Sequence, residues 1–197
     1  MLFLKPLIGI IAVILTFTGY IPYIRDVLKG KTTPHTYSWF LWGFVTAIAF
    51  ALQLSDKGGP GVFVTLAAAI MCAMVFTLGI VRNGPKDITL IDTVFIALAF
   101  IALALWLFAK QPVISAILIT LTDLLGFAPT IRKTWNKPYS ETLSFYILNT
   151  ARFVLAIFAL ERYTIITALY PMAWLIANGL FAIMLIIRRR IIPLERR

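Results

Sequence analysis

Three polar side chains interrupt long apolar stretches in the second half of this 197-residue chain: Asp123, Arg152 and Asn178. If these stretches are helices that cross a membrane, counting inward from their polar ends at 1.5 Å per residue places each side chain about 13 to 15 Å deep. A charged side chain at that depth costs at least about 2.5 to 3.5 kcal/mol, so Asp123 and Arg152 must face a partner, a ligand or water. The chemistry open to this level is therefore the recognition of charge or the exchange of a proton.

Two interpretations of this charged level stay open. Asp123 and Arg152 could form an ion pair that only holds their two helices together. Alternatively, one or both line a cavity, as counter-charges for a zwitterionic or anionic solute or as a carboxylate that couples to protons. Asn149 lies three residues before Arg152 and is expected on the same helix face. The first half has Thr16 and Thr46 at the corresponding positions, so any recognition of charge is predicted to be asymmetric.

The composition indicates that the solvent for this chain is lipid. Hydrophobic residues make up 61% and charged residues 13%, and the mean hydropathy is +0.94. The net charge of +10 would suit nucleic acid, but the basic residues lie between apolar blocks, which indicates membrane topology instead. With one histidine, one cysteine and no acidic cluster, the sequence favours neither an enzyme nor a metal site, and we expect no cofactor.

Apolar stretches of about twenty residues predict seven membrane-spanning helices. They cover approximately residues 6–25, 36–55, 60–81, 88–109, 112–132, 142–160 and 164–187. Thirteen Lys and Arg residues flank these spans on one side and four on the other, with Arg152 inside a span. This bias predicts a cytoplasmic C-terminus and an N-terminus outside. The short loops favour a prokaryotic plasma membrane as the location.

The chain repeats one pattern, because Gly19 and Pro22 recur as Gly126 and Pro129, 107 residues later. Further matches lie downstream: Thr36 with Thr142, Ser38 with Ser144 and Arg82 with Arg188. Both copies belong to helices that start on the same side, so the repeats are predicted to be parallel, with the fourth helix inverting the chain between them. The predicted domains are a first triple-helix bundle, a linker helix, and a second triple-helix bundle with a short basic tail, at 1–87, 88–111 and 112–197.

With these motifs the chain resembles the SWEET, SemiSWEET and PQ-loop (MtN3-like) transporter superfamily. The resemblance rests on Gly-x-x-Pro in the first helix of each bundle, and on Pro34-His-Thr-Tyr-Ser38 and Ser140-Glu-Thr-Leu-Ser144 at the start of the second. The family's glutamine after each proline is replaced by Tyr23 and Thr130. The resemblance implies an all-α membrane protein with seven transmembrane helices, arranged as two parallel triple-helix bundles joined by an inversion linker helix.

The function that the resemblance implies is secondary transport of a small polar solute, such as a sugar, an amino acid or a similar metabolite. Transport would proceed by alternating access to a midplane site between the bundles, with Gly19, Pro22, Gly126 and Pro129 as hinges. A seven-helix receptor or scaffold of the same superfamily, without transport, is the alternative. The implied partners are the solute and the lipid bilayer, not nucleic acid, while proton coupling and homo-oligomerisation stay open.

The resemblance also implies a pocket amide in the third helix of each bundle. Asn178 matches this position in the second bundle, and Cys72 takes the equivalent place in the first. Together with the charged level, the predicted substrate-binding residues are Asn178, Cys72, Asn149, Arg152, Asp123 and Trp42.

Other polar and aromatic residues have simpler expected roles. Trp39 and Trp42 are expected to be interfacial anchors, although Trp42 lies one turn deeper and could stack on substrate. Tyr170 and Trp174 are expected to be ordinary packing residues, with a role as gate residues as the alternative. The expected roles of the remaining two are helix capping or solvation for His35, and stabilisation of a helix N-terminus for Asp92.

Overall fold

A computed structural model describes residues 4–30, 34, 36–83 and 90–192. The apolar stretches form helices because, in lipid, a helix satisfies its backbone donors and acceptors within its own segment. The described ranges contain seven α-helices: α1 (Leu4–Leu28), α2 (Thr36–Ser55), α3 (Phe63–Asn83), α4 (Leu90–Leu107), α5 (Pro112–Asn136), α6 (Leu143–Phe158) and α7 (Ile165–Ile191). A 3-10 turn at Gly59–Val62 joins α2 to α3, and the structure has no strand within these ranges.

Five helices, α1, α2, α3, α5 and α7, are long and apolar enough to cross a membrane. The other two, α4 and α6, are shorter apolar helices. With 16 residues, α6 rises only about 24 Å. The chain is therefore an all-α integral membrane protein, as its composition predicts.

The first three helices and the last three pack in corresponding ways. Helix α3 packs against both α1 and α2, and α7 packs against both α5 and α6. Across the molecule, α1 packs against α6 and α2 against α5, so the first helix of each set contacts the second helix of the other. Helix α4 packs on α5 and α2. The main contact between the two sets thus runs along the helix pairs α1/α6 and α2/α5.

Small residues form the inner face of α1 as far as Gly19. Gly9, Ala12, Thr16 and Gly19 are buried, whereas large apolar side chains on the other face, such as Ile10, are exposed. In lipid there is little hydrophobic gain from burying a large side chain, and small residues let helix backbones approach closely. A Cβ atom built on Gly19 would lie 3.4 Å from the Cβ atom of Leu148, which places the backbone of α1 directly against α6.

Two arginines cap equivalent helix ends. Arg82, near the end of α3, donates from Nη1 to the carbonyl of Leu28 at 2.6 Å, where α1 ends. Arg188, near the end of α7, donates from Nε to the carbonyl of Trp135 at 2.7 Å, one residue before α5 ends. A cation at a helix C-terminus satisfies terminal carbonyls and is favoured by the helix dipole. We call the end of the molecule where α1, α3, α5 and α7 finish the basic end.

At the opposite end, the α2–α3 connection lies directly on the α6–α7 connection. Gly61 N donates to the carbonyl of Ala159 at 3.2 Å, and Glu161 N donates to the carbonyl of Gly58 at 2.9 Å. Gly59 has φ +76, a left-handed conformation that glycine adopts without steric cost. A Cβ atom on Gly61 would collide with the backbone of α6, so glycine is required for this close approach.

Side-chain bonds reinforce the same junction. Asp56 forms an ion pair with Arg162 at 3.5 Å and accepts a hydrogen bond from the Thr164 hydroxyl. Lys5 Nζ donates to the carbonyl of Leu160 at 2.7 Å, and Gln53 Nε2 donates to the carbonyl of Thr167 at 3.3 Å. We call this set of contacts the closed junction.

The predicted hinge positions lie inside continuous helices. Helix α1 runs through Pro22, and α5 runs through position 129. The side chains of Pro129 and Asp92, and residue His35, lie outside the described part of the structure, so the roles predicted for them stay predictions.

Candidate functional site

A cavity of about 150 Å³ lies between the first three helices and the last three. Its lining comes from α1, α2, α3, α5, α6 and α7, together with Glu141, just before α6. All of the residues predicted to bind substrate line this one cavity: Trp42, Cys72, Asp123, Asn149, Arg152 and Asn178. Residues as far apart in the sequence as Trp42 and Asn178 thus meet in one place.

Asp123 is held by the side chains of α7. Its Oδ2 accepts hydrogen bonds from Tyr170 Oη at 2.7 Å and from Trp174 Nε1 at 2.8 Å. The residue is 1% exposed, and its other carboxylate oxygen, Oδ1, is buried without a hydrogen-bond partner among the described residues. One oxygen is therefore fixed by the protein, and the other is left to a ligand or water.

The hydroxyl of Tyr170 connects Asp123 to the first half of the chain. Thr46 Oγ1 in α2 lies 2.9 Å from Tyr170 Oη. Because the phenol has one hydrogen and donates it to Asp123, the Thr46 hydroxyl must donate to Tyr170. The resulting chain of hydrogen bonds runs from α2 through α7 to α5, so a shift between the two halves changes the environment of the carboxylate.

Arg152 projects from α6 into the same cavity. Its Nε donates to Asn149 Oδ1 at 2.5 Å, and its guanidinium carbon lies 4.2 Å from the centre of the Phe153 ring. Asn149 precedes Arg152 by three residues and shares its helix face, as expected. The side chain is buried, and Nη1 has no hydrogen-bond partner in the described part of the chain. Arg152 is thus oriented at one edge of its guanidinium and has an unsatisfied donor at another.

Asp123 and Arg152 do not form an ion pair in the structure. Ion pairs are described elsewhere, for example Arg25–Asp26 and Arg162–Asp56, but not between these two residues. Asp123 takes its hydrogen bonds from Tyr170 and Trp174 instead. Of the two interpretations that the sequence leaves open, the ion pair is therefore wrong for this conformation, and the lining of a cavity is the observed arrangement.

The third helix of each set contributes one polar group at equivalent positions. Asn178 Nδ2 in α7 donates to the carbonyl of Trp174 at 2.7 Å, within its own helix. Cys72 Sγ in α3 lies 3.8 Å from Tyr20 Oη, which is within hydrogen-bonding range for sulfur. Cys72 is the only cysteine in the chain. Its thiol is therefore the one group in the chain that a thiol reagent would label, and it lies in the cavity.

Trp42 lines the cavity next to a glycine of the repeated motif. Its indole Nε1 is buried without a hydrogen-bond partner among the described residues. A Cβ atom on Gly126 would lie 3.2 Å from that nitrogen, closer than ordinary packing allows. The absence of a side chain at position 126 thus makes room for the indole.

Two expectations for the aromatic residues are wrong. Trp39 is not an interfacial anchor, because it is 5% exposed and lines the cavity in contact with Tyr20 and Tyr23. Tyr170 and Trp174 are not merely packing residues, because they supply the hydrogen bonds to Asp123. These helices are apolar on nearly every face, so the sequence does not show which face points inward. It therefore carried no signal for these roles.

An aromatic layer lies between the charged level and the basic end. Tyr20 and Phe145 meet edge to face with their ring centres 4.9 Å apart, and Tyr23 and Trp39 meet at 5.0 Å. Tyr146 in turn meets Phe145 edge to face, with the ring centres 5.2 Å apart, and its hydroxyl donates to Glu141 at 3.0 Å. The contact between Tyr20 and Phe145 joins α1 to α6, so this layer links the two halves through side chains, whereas the closed junction links them through backbone as well as side chains.

No protein-family model, curated protein or solved structure matches this chain. The resemblance to the SWEET and PQ-loop superfamily therefore rests on the repeated motifs, and function must be argued from the cavity and its contacts.

Proposed function

We propose that the chain is a secondary transporter that moves a small polar solute across a membrane by alternating access. The observation that carries the proposal is the central cavity, which holds Asp123 and Arg152 with unsatisfied hydrogen-bonding atoms between the two sets of three helices. Polar and ionisable groups deep in membrane proteins are costly and mark pathways for solutes or ions. The cavity volume suits a small metabolite.

The proposed architecture is two parallel triple-helix bundles, α1–α3 and α5–α7, joined by α4 as an inversion linker. Paired contacts across the molecule support it. Gly19 approaches Leu148, and Gly126 approaches Trp42. Leu148 follows Trp42 by 106 residues, the offset that also relates Ser38 to Ser144. The two glycine contacts are thus equivalent under exchange of the bundles, which is expected of parallel repeats related by an axis along the membrane normal.

The arginine caps support the same exchange. Arg82 bonds the end of α1 and Arg188 bonds the end of α5, and each pair belongs to one proposed bundle. In this arrangement all seven helices cross the membrane. Helices α4 and α6 are short for a bilayer. Local thinning of the bilayer and flanking polar residues can accommodate this mismatch at modest cost. The basic end, rich in Lys and Arg, is proposed to face the cytoplasm, with the N-terminus outside.

Alternating access would require the closed junction to open. The cavity reaches Ser38 and Glu141 toward the basic end, whereas the loops carrying Gly61 and Glu161 lie against each other at the opposite end. We therefore assign the structure to a conformation in which the cavity is closed at the end with the closed junction. Pro22 and Pro129 each lack a backbone N–H inside a helix, so we propose that α1 and α5 bend there during exchange.

Counterflow in vesicles tests this function. Purified chain is reconstituted into liposomes preloaded with an unlabelled amino acid or hexose, and uptake of the labelled form is followed. A transporter accumulates label transiently, whereas protein-free vesicles do not. Pro22→Ala and Pro129→Ala are expected to keep solute binding and to lose counterflow. Solute binding by the wild type without any counterflow would contradict transport and favour the receptor alternative.

A further inference from the structure

Two buried, opposite charges face one cavity, and each has an atom without a partner. We propose, on the basis of the transport function above, that the solute is a small zwitterion of the α-amino-acid type. Its carboxylate binds Arg152, and its ammonium group binds Asp123. Both residues line the cavity, and Arg152 Nη1 and Asp123 Oδ1 are buried without hydrogen-bond partners among the described residues. A zwitterion satisfies both atoms at once.

Arg152 is oriented to receive an anion. Asn149 fixes the Nε edge of the guanidinium, and Phe153 covers one face at 4.2 Å. Nη1 is left as a donor in a buried site, where an unpaired cation is costly. Guanidinium and carboxylate form strong charge-assisted hydrogen bonds in such sites. The indole N–H of Trp42, also buried without a described partner, is a second donor in the same cavity.

Asp123 is oriented to receive a cation. Tyr170 and Trp174 both donate to Oδ2, so that oxygen is saturated and the carboxylate is held in one position. Oδ1 stays available as an acceptor. An ammonium group has three donors and no acceptor, so it complements this oxygen better than a hydroxyl does, because it also brings the opposite charge.

The charge balance of the cavity argues against other solute classes. Asp123 and Arg152 carry opposite charges, and both face the cavity. A monoanion or dicarboxylate would satisfy Arg152 but would leave the buried carboxylate of Asp123 without a counter-charge. A neutral sugar would leave both buried charges uncompensated, which is the costly arrangement. A cavity of about 150 Å³ also matches a solute of about six non-hydrogen atoms, because a cavity of that volume in another protein holds benzene.

Four compounds of nearly the same size test the assignment. L-alanine carries both charges, L-alaninamide only the positive one, L-lactate only the negative one, and lactamide neither. Binding of each to the purified full-length chain is measured by titration calorimetry, and counterflow is measured in parallel. We expect L-alanine to bind at least about tenfold more tightly than the other three, because each of those lacks at least one charged contact.

Substitution identifies which charge each residue reads. Asp123→Asn is expected to abolish the preference for L-alanine over L-lactate, and Arg152→Gln the preference for L-alanine over L-alaninamide. Arg190→Gln, at an exposed position near the end of α7, is the matched control and should leave binding unchanged. Asp123→Asn with Arg152→Gln removes both charges, so it provides a folded comparison if one single variant is unstable, and its expected best ligand is lactamide.

The outcomes separate the assignment from the transport function. Selective binding of L-alanine without counterflow would overturn transport and support the zwitterion site. Counterflow of a hexose, with no binding of L-alanine, would support transport and overturn the zwitterion site. Equal binding of all four compounds, or binding of none of them, would also overturn it.

Discussion

Asp123 and Arg152 line the same cavity without pairing with each other. Each is anchored at one side by its own neighbours, Asp123 by Tyr170 and Trp174 and Arg152 by Asn149. An ion pair would have satisfied both charges inside the protein and left nothing to recognise. The observed separation keeps two opposite charges available to a solute, which is why the polar level acts as a binding site rather than as a structural clamp in our proposal.

Loss of the Tyr170 hydroxyl is expected to weaken the site by removing a hydrogen bond that holds Asp123 in position. Tyr170→Phe removes the donor to Asp123 and leaves the Thr46 hydroxyl without its acceptor. We expect a loss of about 1 to 3 kcal/mol in the free energy of unfolding and weaker binding of L-alanine, because buried polar atoms lose partners. Thermal unfolding and calorimetric titration measure the two effects.

Tyr163→Phe is the matched control. Tyr163 is 58% exposed, and its hydroxyl donates to the carbonyl of Ile157. This substitution is expected to change stability by less than about 0.5 kcal/mol and to leave ligand affinity intact. Equal effects of the two substitutions would mean that the hydrogen bond from Tyr170 does not support the site.

The two motif glycines are expected to differ in what they support. Gly126→Ala places a methyl group against the Trp42 indole, whereas Gly19→Ala places one against Leu148. We expect Gly126→Ala to lower solute affinity by about fivefold, equivalent to about 1 kcal/mol, by displacing the indole N–H. Gly19→Ala should cost stability and leave affinity near that of the wild type. Equal affinities in both variants would remove Trp42 from the site.

A methyl group at Gly61 should disrupt the closed junction. Because the Cβ atom would collide with backbone rather than with a flexible side chain, we expect Gly61→Ala to cost about 3 kcal/mol of stability. Gly179→Ala is the control, since its nearest neighbour, Thr150, lies at an ordinary 3.7 Å. Similar melting temperatures for the two variants would show that the loops are not packed as described.

Removal of either arginine cap should have the same modest effect. Arg82→Gln and Arg188→Gln each remove a charged donor from a helix C-terminus, and each is expected to cost about 0.3 to 1 kcal/mol. The control is Arg190→Gln at an exposed position, for which we expect a smaller change. Markedly unequal losses at Arg82 and Arg188, measured by chemical unfolding, would argue against equivalent bundles.

Much of the fold could be predicted because lipid imposes strong constraints on sequence. The predicted stretches 6–25, 112–132 and 164–187 correspond to α1, α5 and α7, which extend three or four residues further at their basic ends. Hydropathy reports where lipid begins, whereas a helix continues into polar surroundings as long as its backbone bonds are satisfied. The shared depth of Asp123, Arg152 and Asn178 follows from counting residues, and all three line one cavity.

The rotation of each helix about its axis could not be predicted. Helices that are apolar on every face carry little information about which face points inward. The inward positions of Trp39, Tyr170 and Trp174 were missed for that reason, although the approximate position of each residue along its helix was known. Because the rotation of each helix was unknown, the sequence also left the ion pair between Asp123 and Arg152 open. Two residues at one depth meet only if their helices also turn them toward each other.

Accessibility of Cys72 from the two sides of the membrane tests alternating access most directly. It is the only cysteine and lines the cavity, so a membrane-impermeant thiol reagent needs no engineered site, and Cys72→Ser gives the background. We expect labelling from both sides, slower from the side of the closed junction, and protection by L-alanine. Labelling from one side alone, whether solute is present or absent, would contradict a transporter that exposes one central site alternately to each face.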